Sequence, residues 1–227
     1  DFDGNLNEDL KAQKSLHFIS GLDYKFRWWG RDFNFISELY YKQLWDVIPY
    51  EVDNLRLRYY ANNDAKAFAS GLDLRLSGEL IEGTQSWFSL GILSTRENVE
   101  NDGNGYIRRP TDQRVNLGIV FQDHIPGDPT LRVNLGVLYG SGLPFGPPNN
   151  FSRRNSFNGA EYTRVDIGFS KLFYLKGRND FDHSIMLTAE VLNMLGASNT
   201  ISYTWISDVN NQQFAVHNEV SARFLKV

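Results

Sequence analysis

"QRVNLGIVFQDHIPGDPTLRVNLGVLYGSG", residues Gln113 to Gly142, contains two near-copies of one pattern. Val115, Leu117, Ile119 and Phe121 are apolar at every second position, and so are Leu131, Val133, Leu135, Val137 and Tyr139. Between them stand Arg114, Asn116 and Gly118, then Arg132, Asn134 and Gly136. A period of two sends alternate side chains to opposite faces of a strand, and the short "HIPGDP" between the runs predicts a hairpin. Each strand then has one oily and one polar face. A soluble antiparallel sheet buries its oily face in a core, whereas a transmembrane barrel turns that face outward to lipid.

The same period recurs along the chain and gives about nine runs. Ser15–Trp28 sets Leu16, Phe18, Leu22, Tyr24, Phe26 and Trp28 against His17, Gly21, Asp23, Lys25 and Arg27. Phe33–Leu44, Lys66–Gly78, Ser86–Thr95 and Tyr162–Phe173 alternate in the same way. His183–Ile206 opens with Ile185, Leu187, Ala189 and Val191 on one face and is expected to bulge near "NMLG", where the alternation loses phase. A short run, Glu219–Val227, comes last. No helical period of comparable length competes with these strands.

The connections alternate too. "WGRD", "LIEGTQ", "HIPGDP" and "YLKGRNDFD" are short, whereas the segments 45–64, 96–112, 140–161 and 207–218 are long. That order places every long loop at one end of an up-and-down sheet, as in a transmembrane barrel. A Greek-key sandwich, the soluble alternative, has no reason to keep it. Run length points the same way: ten residues at about 3.3 Å each, tilted about 40°, span roughly 25 Å, the height of a barrel's apolar band. Trp28, Trp29 and Phe33 gather around one short turn, and Phe173, Tyr174 and Phe181 around another, as a girdle at headgroup level would. Lys171 lies on the oily face near that girdle, where its stem can snorkel. The expected fold is therefore all-β: an antiparallel up-and-down transmembrane β-barrel. Nine is an odd count, whereas bacterial single-chain barrels have even ones, and open edges in lipid leave backbone groups unpaired. Further strands from outside this sequence are expected, or the count is off by one.

Composition sets the outer limits. With 41% hydrophobic and 22% charged residues and a net charge of −4, the chain has neither the make-up of a disordered segment nor the basic surface of a nucleic-acid binder. No apolar window is long enough for a transmembrane helix, which leaves spanning strands open. The absence of cysteine removes disulfides, cysteine metal sites and cysteine nucleophiles. The polar start, "DFDGNLNEDLKAQKS", has no charged-then-apolar leader, so the chain is expected to begin within a larger protein.

Several stretches carry a family likeness: "KAQKSLHFISGLDYKF", "ELYYKQLWDVIPYEVDNLRLRYYANNDAKAFASGLDLRLSGELIEGTQSWFSLGIL", "RRPTDQRVNLGIVFQDHIPGDPTLRVNLGVLYGSGLPFGPP" and "YTRVDIGFSKLFYL". In their order they resemble the C-terminal barrel region of TonB-dependent receptors of the Bacteroidetes type. "AEVLNMLGASNTISYTWISD" resembles the long penultimate strand of that family. The resemblance implies that residues 1–227 supply the last nine or so strands of a 22-stranded barrel, with the plug domain and earlier strands upstream. It also implies the outer membrane of a Gram-negative cell, contact with outer-membrane lipid and lipopolysaccharide, and energised uptake of an extracellular ligand. Coupling to TonB would run through an N-terminal region outside this chain. The ending "ARFLKV" departs from the family's terminal aromatic, which raises the expectation of a truncated end. Two readings from other classes stand beside this one. In the first the barrel is a structural or assembly subunit whose loops dock a surface lipoprotein; in the second the chain is a secreted, glycan-binding β-sandwich.

Chemistry-bearing motifs are few. "DFDGNLNED" spaces Asp1, Asp3, Asn5, Asn7 and Asp9 two apart, as calcium ligands can be. However, an EF-hand loop wants its glycine at the sixth position, whereas here it is Gly4, and Ala12 stands where the bidentate glutamate would be, so a solvated loop is expected. His17, His124, His183 and His217 lie in separate segments without a ligand pair, and no Ser-His-Asp, P-loop or dinucleotide pattern is present. The chain is read as a non-enzyme with no cofactor. Asp23, Asp73, Asp166 and Glu190 share a face with Arg27, Arg75, Arg114, Arg132 and Arg164, which fits ion pairs in a wet lumen better than a paired-carboxylate site. The long loops hold Trp45, Tyr50, Tyr59, Tyr60, Tyr106, Phe145, Phe151, Phe157 and Trp205, with the pairs Arg108–Arg109 and Arg153–Arg154. Of these, Trp45, Tyr59, Tyr60, Tyr106, Arg108, Arg109, Phe145, Arg153, Arg154 and Trp205 are the candidate ligand-binding residues, rings for stacking and guanidinium groups for anions. The alternative for them is loop packing and lipopolysaccharide contact. "GSGLPFGPP" is expected to shape the loop rather than bind.

Overall fold

The computed structural model describes residues 7–53, 55–81, 84–125, 127–148, 150–176, 182–220 and 222–226. Nine strands form one antiparallel sheet: β1 (Lys14–Trp28), β2 (Arg31–Val47), β3 (Ala65–Ile81), β4 (Thr84–Val99), β5 (Val115–Ile125), β6 (Asp128–Gly140), β7 (Tyr162–Lys176), β8 (Asp182–Leu192) and β9 (Phe224–Lys226). Each pairs with its predecessor, so the sheet is a meander without crossovers. A two-residue strand, Ile107–Arg108, adds to the loop end of β4. Among the described residues no pairing joins β1 to β9, so the established architecture is a nine-stranded antiparallel sheet.

Turn chemistry explains the tight end. Trp28 pairs with Arg31 across the two residues Trp29 (φ 52°) and Gly30 (φ 73°). Two left-handed residues in succession make the hairpin turn whose twist matches that of the flanking strands. A tryptophan there is unusual, and it stacks on Trp28 at 4.2 Å between ring centroids. The other end carries the long connections, 48–64, 100–114, 141–161 and 193–223. Strict alternation of short and long connections thus holds from β1 to β9.

Register turns the alternation into continuous rows. Tyr24, Phe35, Leu76, Phe88, Ile119, Val137 and Val165 lie side by side across β1 to β7. Phe121, Leu135, Ile167, Val191 and Leu225 carry a second oily row across β5 to β9. The opposite face carries Gln122, Asn134, Gly168, Glu190 and Lys226 in the same way. Among the described residues no second sheet or helix stacks on the oily face, where Leu39 is 61% exposed and Leu187 60%. The buried apolar cluster, Val47, Ala65, Ala67 and Val99 with Leu44 and Phe151 against it, sits at the long-loop ends of β2 to β4. Lys171, on the oily face, bends to the turn and pairs with Asp128.

Two expectations need correction. His183–Ile206 is not one bulged strand. β8 stops at Leu192, where Asn193 takes φ 51° and its side chain brackets the turn, donating to the Ala197 carbonyl (3.0 Å) and accepting from the Ala197 N–H (3.1 Å). The Asp166 carboxylate accepts the Asn193 N–H at 2.8 Å, which holds the break against β7. Beyond the turn, Asn199–Ser207 pairs with Gln213–Val220 as a separate hairpin. Nor does the last strand begin at Glu219, because Glu219 and Val220 belong to that hairpin and only Phe224–Lys226 re-enter the sheet. The fourth long connection is therefore 193–223 rather than 207–218. Phe181 lies outside the described residues.

Candidate functional site

The loop 141–161 is shaped by the absence of side chains. Gly142 and Gly159 meet so closely that a Cβ on Gly142 would overlap the Gly159 carbonyl oxygen, and the Gly159 N–H donates to Leu143 O at 2.8 Å. Pro144–Phe145 then pairs with Phe157–Asn158, bringing the Phe145 and Phe157 rings to 5.6 Å. Farther out, the Asn150 side chain accepts the Arg153 N–H at 3.2 Å and caps the short 3₁₀ turn Phe151–Arg153. That turn drives Phe151 and Arg154 inward over the polar face of the sheet, while Arg153 stays exposed.

Inside, two fully buried carboxylates each collect two arginines. Glu97 lies 3.2 Å from Arg109 Nε and 3.1 Å from Arg154 Nη2. Asp112 accepts from Arg108 Nε at 2.6 Å and from the Thr95 N–H at 2.6 Å, and it is ion-paired with Arg114, whose Nε lies 2.9 Å away. Arg108 also donates to Asn158, and its carbonyl accepts the Asn155 amide at 2.9 Å, so one side chain ties two loops together. The Arg154 guanidinium lies 4.9 Å from the Phe151 ring centre and 5.6 Å from that of Tyr60, two rings that meet edge to face at 5.1 Å, within reach of a favourable cation–ring contact with each. The Tyr60 hydroxyl donates to Glu51 Oε2 at 3.1 Å. Burial first, then the Glu51 carboxylate, pushes the Tyr60 phenol well above its usual range, so the hydroxyl remains a donor.

Beside this network the loops and the Asn199–Val220 hairpin enclose a cavity of about 310 Å³. Its wall includes Glu51, Phe145, Pro147, Arg154, Tyr203 and Trp205. Tyr203 stacks on Phe145 at 3.9 Å with planes 4° apart, and its oxygen accepts the Ala160 N–H at 2.7 Å. Trp205 lies 6.0 Å from both Phe145 and Phe157. The hairpin is thus fastened to the loop by its rings.

The ten candidate residues separate into three groups. Phe145, Arg154 and Trp205 line the cavity. Tyr60, Arg108 and Arg109 stand behind it in the ion-pair network, where Asp112 and Glu97 take up the charges of Arg108 and Arg109. Trp45, Tyr59, Tyr106 and Arg153 are exposed and lie away from the cavity wall; Tyr59 packs on Tyr50 and Tyr106 on Phe68. Of the calcium candidates, Asp1, Asp3 and Asn5 lie outside the described residues. Asn7 donates to Ala61 O at 2.8 Å, and its Oδ1 accepts the Asp9 N–H, which anchors this segment to the loop 48–64. Among the described residues no group of three or more His, Asp or Glu is placed to hold a metal ion.

Sequence reasoning missed Glu51, Glu97, Asp112 and Tyr203. Glu97 had a signal: it falls on the polar parity of β4, at the loop end, with seven arginines from Arg96 to Arg154 to meet it. Tyr203 had none, because the alternation assigned it to a strand of the sheet. Chemically, the arrangement offers ring faces for holding a ligand, while its buried guanidinium and carboxylate groups are taken up within the protein. Comparison of the chain with protein-family models, with curated proteins and with solved structures finds no match in any of the three.

Proposed function

We propose that this chain is part of the wall and the outer loops of a TonB-dependent outer-membrane transporter, and that the loop cavity is where an extracellular ligand first binds. The observation that carries the reading is the uncovered oily face, continuous over seven strands in the row Tyr24 to Val165. Leaving one Leu or Phe in water rather than burying it forgoes about 1.5–3 kcal/mol, so a whole face of them calls for an apolar solvent. Hydrocarbon supplies it. The polar row Gln122 to Lys226 then faces a wet lumen. The strands support the same view: β2 and β3, with 17 residues each, extend roughly 50 Å at about 3.3 Å per residue, enough to cross the apolar band and stand above it. The exposed pair Trp28–Trp29 at the short-turn end fits a headgroup-level girdle.

In this role the chain makes and breaks no bond. Loops capture the ligand, and a pull transmitted by TonB to a plug outside this chain opens a route along the polar face. The test has two parts. The chain is expected to fold in detergent or lipid vesicles and to aggregate in plain buffer; a stable monomer in plain buffer removes the barrel. In cells making the whole protein, loss of TonB is expected to abolish uptake while surface binding persists, and uptake that survives without TonB removes the transporter.

A further inference from the structure

Val52, Leu55, Leu143 and Ile201 line the loop cavity and yet are each between 46% and 60% exposed. They come from three separate segments: the hairpin Tyr50–Asp53 with Arg56–Tyr59, the loop 141–161 and the hairpin Asn199–Val220. Leu55 stands at the tip of the first hairpin with φ 71°, where Gly, Asn or Asp is the ordinary choice. The rings of Phe145 and Trp205 add to this apolar wall. Its charged members are taken up within the protein. Arg154 is paired with Glu97 and covered by Phe151 and Tyr60, and Asp53 pairs with Arg58 at 2.9 Å. Glu51 Oε2 accepts from Tyr60, and its Oε1 has no access to the cavity. Polar groups of the wall are engaged as well. Gln113 donates to Ser141 O at 3.1 Å, the Ser141 hydroxyl accepts the Val115 N–H at 3.0 Å, and the Ser202 hydroxyl accepts from Asn218 at 2.9 Å.

We infer that the cavity binds an uncharged, mainly apolar small molecule. This deepens the transporter reading and rests on it, since it names what the first binding site takes. An ion would lose its hydration on entry without gaining a partner, which burial makes expensive. A sugar fares little better: the wall's hydrogen-bonding groups are spent on holding the loops together, and Phe145 and Tyr203 each cover one face of the other. An apolar body loses nothing by entering, and it takes four aliphatic side chains out of water. Lipid does not supply that cover, because the cavity stands at the long-loop end, beyond the rows that the transporter reading gives to hydrocarbon. Nor does a second copy of the chain: a stable interface buries roughly 1,200–2,000 Å² in total, more than four half-exposed side chains provide. At about 310 Å³ the cavity stands at the small end of the ligand-pocket range of roughly 300–1,000 Å³, which suits a compact ring compound.

The full chain, folded in detergent, is tested by equilibrium dialysis with naphthol, naphthoate (a negative charge), naphthylmethylamine (a positive charge) and maltose, with protein-free micelles as the blank. Naphthol is expected to bind saturably, and the two ions about tenfold or more weaker, because each brings an unpaired charge into an apolar wall. Leu143→Asp puts a charge into that wall from the protein's side and should weaken naphthol about tenfold or more. Ile201→Asp, on the other hairpin, is the second variant and carries the same expectation. Val209→Asp, at a fully exposed position in the turn of that hairpin and away from the cavity wall, should leave binding unchanged. Maltose or either ion binding as tightly as naphthol, no saturable binding, or binding that both wall variants leave intact overturns the proposal. So does a dimer, seen by sedimentation, that Leu143→Asp dissolves, since the wall would then be an interface between copies. Insertion of the same preparation into vesicles is scored separately: insertion without binding sinks the apolar ligand alone, and binding by a protein that never inserts sinks the transporter alone.

Discussion

The sheet and its loop cap distribute burial in opposite ways. On the strands, Leu39, Phe18 and Leu187 are each at least 60% exposed, whereas in the cap Glu97 and Asp112 are fully buried and Arg154 nearly so. In a soluble protein the ranking runs the other way, with aliphatic side chains inside and charges outside. On the proposed reading, the inversion means that the two regions are built for different solvents. The sheet leaves its oily face to a surrounding medium. The cap, which must be stable in water without a large apolar core, closes around paired charges and stacked rings.

The largest effect should come from the cap. Glu97→Ala leaves the buried Arg154 and the partly buried Arg109 without their carboxylate, a change that typically costs about 3–5 kcal/mol. Thermal unfolding together with proteolysis of the loops is expected to show the cap failing first; a variant as stable as the parent would mean that the network carries no energy. Next comes the sheet. Leu135→Arg should cost about 2–4 kcal/mol for a lipid-facing position near the midplane, and Asn134→Arg, on the opposite face, close to nothing. Refolding titrations in vesicles measure both, and equal costs would reverse the face assignment.

Smaller effects sharpen the boundary between the regions. Gly142→Ala forces apart the two legs of the loop 141–161, and overpacking of this kind costs about 1–3 kcal/mol. Its mark should be a weakened Phe145–Tyr203 stack, seen by near-ultraviolet circular dichroism, with the strand signal unchanged. The smallest change is Lys226→Ala. The Lys226–Glu190 pair at 3.1 Å is solvent-exposed, and such pairs contribute about 0–1 kcal/mol, a value that falls with salt. A loss well above that range in high-salt urea titrations would mean that β9 is held by more than its short ladder.

The sheet was legible because strand alternation is a local property. Leu117 and Leu135 declare their face by their spacing alone, and "WGRD" declares its turn. The hairpin Asn199–Val220 was not legible, because nothing in the alternation of "NTISYTWIS" says whether it pairs with β7 or with Gln213–Val220. Asn193 made that choice through a left-handed turn and a bond to Asp166, a residue 27 positions away. The site was legible in its residue types and not in its assembly. Phe145, Arg154 and Trp205 were singled out, but so were Trp45, Tyr59, Tyr106 and Arg153, which lie elsewhere.

By itself, then, the sequence determined the sheet's strands as far as β7, their two faces and the end of the sheet that carries the loops, since each follows from neighbours one or two residues apart. Only the tertiary structure decided which arginine meets which carboxylate and which ring covers which. Those pairings join β4 to loops as much as 57 residues away, as from Glu97 to Arg154. They depend on where the chain brings two distant groups to the same few ångströms, and no local pattern records that distance.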